Sequence, residues 1–214
     1  MNIAATNENL TKRDRTKKHC KLCPSCESSV ETCLHVLTCP EEGRVELLME
    51  TIKNVELWLR SAETDPILVS CICEYARGRG GRSMQEVCRS QHIRYRKLGQ
   101  SQDKIGWRRF MEGCVSKEVV QLQMEFAKVH GMKMSMAGWA SGLITKLLEV
   151  THGQWIYRNL LVHEKSYGVL ATKRKEELQT EIQKQQELGV EGLADEDKFL
   201  LEIRLEDLEE LSGE

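Results

Sequence analysis

Between residues 20 and 40 the chain reads Cys-Lys-Leu-Cys-Pro-Ser-Cys-Glu-Ser-Ser-Val-Glu-Thr-Cys-Leu-His-Val-Leu-Thr-Cys-Pro, the stretch that most restricts what this sequence can fold into. Five of the nine cysteines fall here, with His35 among them. Residues 1–18 are polar and basic and lack the apolar run of a secretory signal, so an intracellular protein with reduced thiols is expected. Clustered reduced thiols point to a metal rather than to disulfides. Cys23-x2-Cys26 followed by His35-x3-Cys39 has the spacing of a four-ligand Cys3His zinc site. A Cys-x2-Cys turn presents two sulfurs to one ion, and a helix from about Val30 places His35 and Cys39 one turn apart on a shared face. Spacing alone leaves Cys20-x2-Cys23 as an equally good pair and Cys33 as a substitute for His35. Three thiolates, a neutral imidazole and Zn2+ sum to a charge of about −1, which Lys17, Lys18 and Lys21 would offset. Four protein ligands leave no open position for water, so such a site is structural rather than hydrolytic.

The rest of the chain reads as helical. Val45, Leu48, Met49, Ile52, Val55 and Leu59 repeat at helical spacing over residues 41–62. Asp65-Pro66 is an N-cap followed by a proline at the first helical position. Ser83 and Glu86 form a capping box for a helix to about Lys97, with residues 99–104 read as a polar loop. Ser116 starts a further helix, and another begins near Ser135 and carries Trp139, Leu143, Leu147 and Val150. Trp58, Trp107, Trp139 and Trp155 are expected as core anchors, and Cys71, Cys73, Cys88 and Cys114 as buried small apolar residues. Two charged helices, one over residues 172–188 and one from Asp195, form an αα-hairpin. The expected architecture is therefore mostly α: a basic disordered leader over 1–19, a small Cys3His zinc knuckle over 20–42, an irregular helical bundle over 43–168 and a C-terminal helical hairpin over 169–214. No apolar run is long enough to cross a membrane as a helix.

Charge is unevenly distributed. Residues 77–109 hold ten basic residues against two acidic, whereas residues 191–214 hold ten acidic against two basic. Lys17, Lys18, Lys21, Arg77, Arg79, Arg82, Arg94 and Arg96 are the candidate phosphate contacts, with Tyr75, Tyr95 and Trp107 available for stacking on bases. Arg158 and Asn159 are further candidates for RNA contact or for pairing between helices. His92, His130, His152 and His163 lack positioned partners and read as surface or helix-terminal residues.

Cys23-Pro-x-Cys26, Glu31-Thr32, His35 and Cys39-Pro40 together resemble the zinc-binding segment that follows the polymerase domain in non-LTR retrotransposon reverse transcriptases. The resemblance selects Cys23, Cys26, His35 and Cys39 as the ligand set. It implies Zn2+ as cofactor and RNA or DNA as partner. The chain contains no paired polymerase aspartates, so the resemblance implies a remnant without catalysis of its own. The other class of function is a helical interaction protein whose knuckle is purely structural, with a protein partner docking through Leu201, Leu205 and Leu208.

Overall fold

A computed structural model describes residues 5–13 and 20–188. Its architecture is mostly α. In chain order the helices are α1 (Asn7–Arg13), α2 (Cys33–Thr38), α3 (Glu42–Ser61), α4 (Pro66–Arg77), α5 (Met84–Val87), α6 (Ile93–Ile105), α7 (Trp107–Met111), α8 (Lys117–Val129) and α9 (Met136–Leu188). The only extended pairing among the described residues is an isolated antiparallel bridge between Leu22 and Val30. The chain divides into two compact units, Met1–Leu161 and Val162–Glu214; residues 162–188 of the second are helical.

The core of the first unit is organised around α4. Asp65 accepts a hydrogen bond from the Ile67 N–H, and Pro66 occupies the first turn, where its missing N–H costs nothing. Leu68, Val69, Ile72, Tyr75 and Ala76 are all buried, so α4 is covered on most sides. Each fully buried side chain of this size contributes about 1.5–3 kcal/mol of transfer free energy. α3 supplies Leu48, Ile52, Val55 and Leu59, spaced to form one stripe. Tyr75 meets Phe110 edge-on at 5.1 Å between ring centroids, and Trp107 Nε1 donates to the Tyr75 carbonyl.

Two buried amides stitch the turns. Gln123 accepts from the Asp65 N–H and donates to the Glu63 carbonyl. Gln102 accepts from the Ser116 N–H and donates to the Cys114 carbonyl. Trp139, Leu143, Leu147 and Val150 of α9 close the core. Gly142 allows α9 to approach α3, because a Cβ there would lie 2.4 Å from the Trp58 ring.

Several expectations require correction. The leader is not featureless: α1 forms within it, and Thr6 and Asn9 are buried. The helix starting at Ser83 ends at Val87 rather than near Lys97, although its capping box is formed as expected. Residues 99–104 are not a loop but the second half of α6. Gly99 is what makes this packing work, since a Cβ there would meet the Gln85 Cα at 2.8 Å. Cys114 is exposed rather than buried, whereas Cys71, Cys73 and Cys88 are buried. Trp107 and Trp139 are buried, while Trp58 and Trp155 are only partly so. The helix expected over residues 172–188 is the continuation of α9. The partner helix from Asp195, with Leu201, Leu205 and Leu208, lies outside the described residues.

Candidate metal centre

The knuckle is built by short-range backbone bonds. The Cys23 N–H donates to Ser29 O at 2.8 Å, and the Glu27 N–H donates back to Cys23 O at 2.9 Å. Glu27 takes a left-handed conformation, φ 53°, which turns the chain tightly enough to bring Cys23 and Cys26 together. The Leu22–Val30 bridge closes this loop. Helix α2 begins at Cys33, three residues later than expected. Thr32 caps it, its hydroxyl accepting from the His35 N–H at 3.0 Å. Cys39 follows the last helical residue, and Pro40 prevents continuation.

The result is a cluster in which the Cys23, Cys26 and Cys39 sulfurs and one His35 ring nitrogen all lie within 4.8 Å of one another, close enough to bind a metal ion. Cys23 Sγ and Cys39 Sγ are 3.7 Å apart, and Cys26 Sγ and His35 Nε2 are 3.3 Å apart. Metal–sulfur bonds of about 2.3 Å in a tetrahedron place two sulfurs about 3.8 Å from each other. The Cys23–Cys39 edge already has about that length, so binding requires only small adjustments of the other edges, all of which are within 4.8 Å. Cys23 and Cys39 are fully buried. Burial pushes the Cys39 thiol up to about 12, so in the absence of an ion it stays protonated. At Cys26 burial acts in the same direction, but hydrogen bonds with Ser28, the Ser29 backbone and His35 outweigh it and bring the thiol down to about 6. Metal binding must therefore release protons from this site. Cys20 is exposed and outside the cluster, with its sulfur accepting from the Leu22 N–H. Cys33 instead lines a groove of about 650 Å3 together with Val36, Leu37, Leu148 and Trp155.

Three arginines surround the knuckle, and the spacing of metal ligands gives no hint of them. Arg44 of α3 is 1% exposed; its Nε donates to Ser25 Oγ at 2.8 Å and its Nη1 to Val36 O at 2.9 Å. Arg79, in a left-handed conformation after α4, donates through Nη2 to Cys39 O. Arg158 of α9 grips the fully buried Glu31 with two bonds, Nε–Oε1 at 2.9 Å and Nη2–Oε2 at 2.8 Å. Glu31 Oε2 also accepts from the Asn7 N–H, and Arg158 Nη2 donates to Asn7 Oδ1, so the same pair seats α1. The Glu-Thr pair thus has two mechanical roles: Thr32 starts α2, and Glu31 ties the knuckle to α9. Arg158 is consequently a buried anchor rather than a surface contact.

The candidate phosphate contacts separate into two groups. Arg77 pairs with Glu56, Arg79 reaches the knuckle, and Arg82 lies 3.8 Å from Glu74. Lys21, Arg94 and Arg96 are exposed, and among the described residues no carboxylate pairs with them. Arg96, Lys97 and Lys104 lie on the outer face of α6, opposite the buried Tyr95, Leu98 and Gln102. Tyr75, Tyr95 and Trp107 are core residues, with Tyr95 bonded to the Asp65 carboxylate, so they do not offer stacking faces. Lys17 and Lys18 lie outside the described residues. His92, His130, His152 and His163 are all exposed. Comparisons with protein-family models, with curated proteins and with solved structures found no match for this chain.

Proposed function

We propose that this protein is a zinc-containing, nucleic-acid-binding remnant of a retroelement reverse transcriptase, without catalytic activity of its own. The observation that carries the reading is the convergence of Cys23, Cys26, His35 and Cys39 on one point. Three thiolates and an imidazole within 4.8 Å of one another suit zinc. All four positions come from the protein, so the ion would hold structure instead of activating water. The retroelement origin rests on the Cys-Pro-x-Cys, Glu-Thr, His and Cys-Pro pattern. It is supported by the fact that Cys23, Cys26, Glu31, Thr32, His35, Cys39 and Pro40 of that pattern each have a structural task in the knuckle. Nucleic-acid contact is supported by the exposed cations of α6, above all Arg96, Lys97 and Lys104, together with Lys21 beside the knuckle.

The internal engagement of Arg77 and Arg79 favours a second reading, a purely structural knuckle on a helical interaction protein. One experiment separates the two. Purified protein is assayed for metal, with Cys26→Ser as control, and then titrated with single-stranded RNA across a salt series. The proposal expects one zinc per chain, lost in the variant. It also expects an affinity that falls steeply as salt rises, because each neutralised phosphate releases counterions. Zinc without RNA affinity, or an affinity flat in salt, would favour the structural reading.

A further inference from the structure

A buried guanidinium normally has a carboxylate beside it, because an unpaired charge removed from water is expensive. Arg158 obeys this rule through Glu31. Arg44 does not. It is as deeply buried, yet among the described residues no carboxylate oxygen lies within ion-pairing distance of it. Its two bonded nitrogens hold Ser25, inside the Cys23–Cys26 turn, and the carbonyl of Val36, next to His35. Its third nitrogen, Nη2, is buried with no hydrogen-bond partner. Arg79 repeats the pattern on a smaller scale: Nη2 holds the Cys39 carbonyl while Nε is buried and unpartnered. Two cations with spare N–H groups therefore flank the cluster where, among the described residues, three cysteines and a histidine collect.

We infer that Arg44, assisted by Arg79, is the counter-charge of the metal centre: the guanidinium is left without a carboxylate because the metal-bound Cys3His cluster supplies the negative charge. This inference rests on the metal reading above and deepens it. With a divalent ion, three thiolates and a neutral imidazole the cluster carries one net negative charge, and Arg44 supplies one positive charge from within the fold. The guanidinium thus takes the role that the sequence suggested for Lys17, Lys18 and Lys21. Arg44 touches the loop and not the ion, so it is a positioning residue. Partners of metal ligands of this kind typically affect affinity by about 10- to 100-fold.

The test compares the full-length wild type, Arg44→Met and Arg44→Lys. Zn2+ affinity is read by competition with a chromophoric chelator, and thermal unfolding is followed by helical circular dichroism with zinc and in chelator. Arg44→Met keeps the length of the side chain and removes its charge. It is expected to weaken zinc binding by about 10- to 100-fold while leaving the metal-free protein no less stable than metal-free wild type. Arg44→Lys, which keeps the charge, should lie closer to wild type. Wild-type affinity in Arg44→Met would overturn the inference, as would equal destabilisation of its zinc-loaded and metal-free forms, which marks a packing role. An Arg44→Lys chain no better than Arg44→Met would also overturn it. A wild-type chain that takes up no zinc would overturn the metal reading and this inference together.

Discussion

Within the first unit, the helical bundle and the knuckle are ordered by different means. The bundle buries a continuous apolar cluster from Leu48 of α3 to Val150 of α9, to which the knuckle adds Leu37. Besides two cysteines and the paired Glu31, residues 20–40 bury only Val36 and Leu37, and they leave Leu22, Val30 and Leu34 about 40% exposed. A segment this short with so little apolar burial cannot offset its conformational entropy by the hydrophobic effect. Its order comes from backbone bonds in tight turns and from contacts to Arg44, Arg79 and Arg158, to which the proposed ion would add. The comparison teaches that the two parts should fail under different insults: the bundle to cavities, the knuckle to loss of metal or of its arginine anchors.

The largest single-residue effect is expected in the bundle. Phe110→Ala empties a fully buried site against Tyr75 and should cost about 3–5 kcal/mol of unfolding free energy. Denaturant unfolding measures this, and metal content should be unchanged in the fraction that remains folded. Loss of metal without loss of stability would break the separation between the two parts. Next is the tie between them. Arg158→Met leaves the Glu31 carboxylate buried without its bidentate partner, at a cost of about 3 kcal/mol. The Glu31→Gln, Arg158→Met double variant should recover much of that cost, because the buried unpaired charge is then gone. A double-variant cost equal to the sum of the singles would show that the pair does not act as a unit. The smallest effect belongs to a local cap. Ser83→Ala removes one half of the α5 capping box and should cost about 1 kcal/mol, leaving the knuckle untouched. A change in metal affinity in this variant would mean that the knuckle senses distant parts of the bundle.

What was legible in the sequence was local. The Asp65-Pro66 start, the Ser83 box and the periodicity of α3 each involve residues within a few positions of one another, and each appears where expected. The cysteine and histidine spacing belongs to the same kind, and the structure brings those four side chains together. What was missed depends on distant partners. Residues 99–104 read as a polar loop, but α5 lies against Gly99 and needs the absence of a Cβ there. The basic residues of 77–109 look alike in sequence, yet Glu56 of α3 engages Arg77, and Cys39 of the knuckle engages Arg79. The two arginine anchors do leave a trace in the helical periodicity. Arg44 precedes Leu48, Ile52, Val55 and Leu59 on one stripe, and Arg158 ends the stripe of Leu143, Leu147, Val150 and Gln154. A charged residue in register with a buried stripe needs a buried partner, and in both cases the partner belongs to the knuckle.

The central claim is that an ion held by Cys23, Cys26, His35 and Cys39 orders the knuckle while the bundle stands without it. Amide hydrogen exchange with zinc and after chelation tests this most directly. The account predicts that the amides of Cys23, Glu27, Glu31, His35 and Val36 lose protection on chelation, while those of α4 and α8 keep theirs. Unchanged protection across residues 20–40 after chelation, with one ion demonstrably removed, would contradict it.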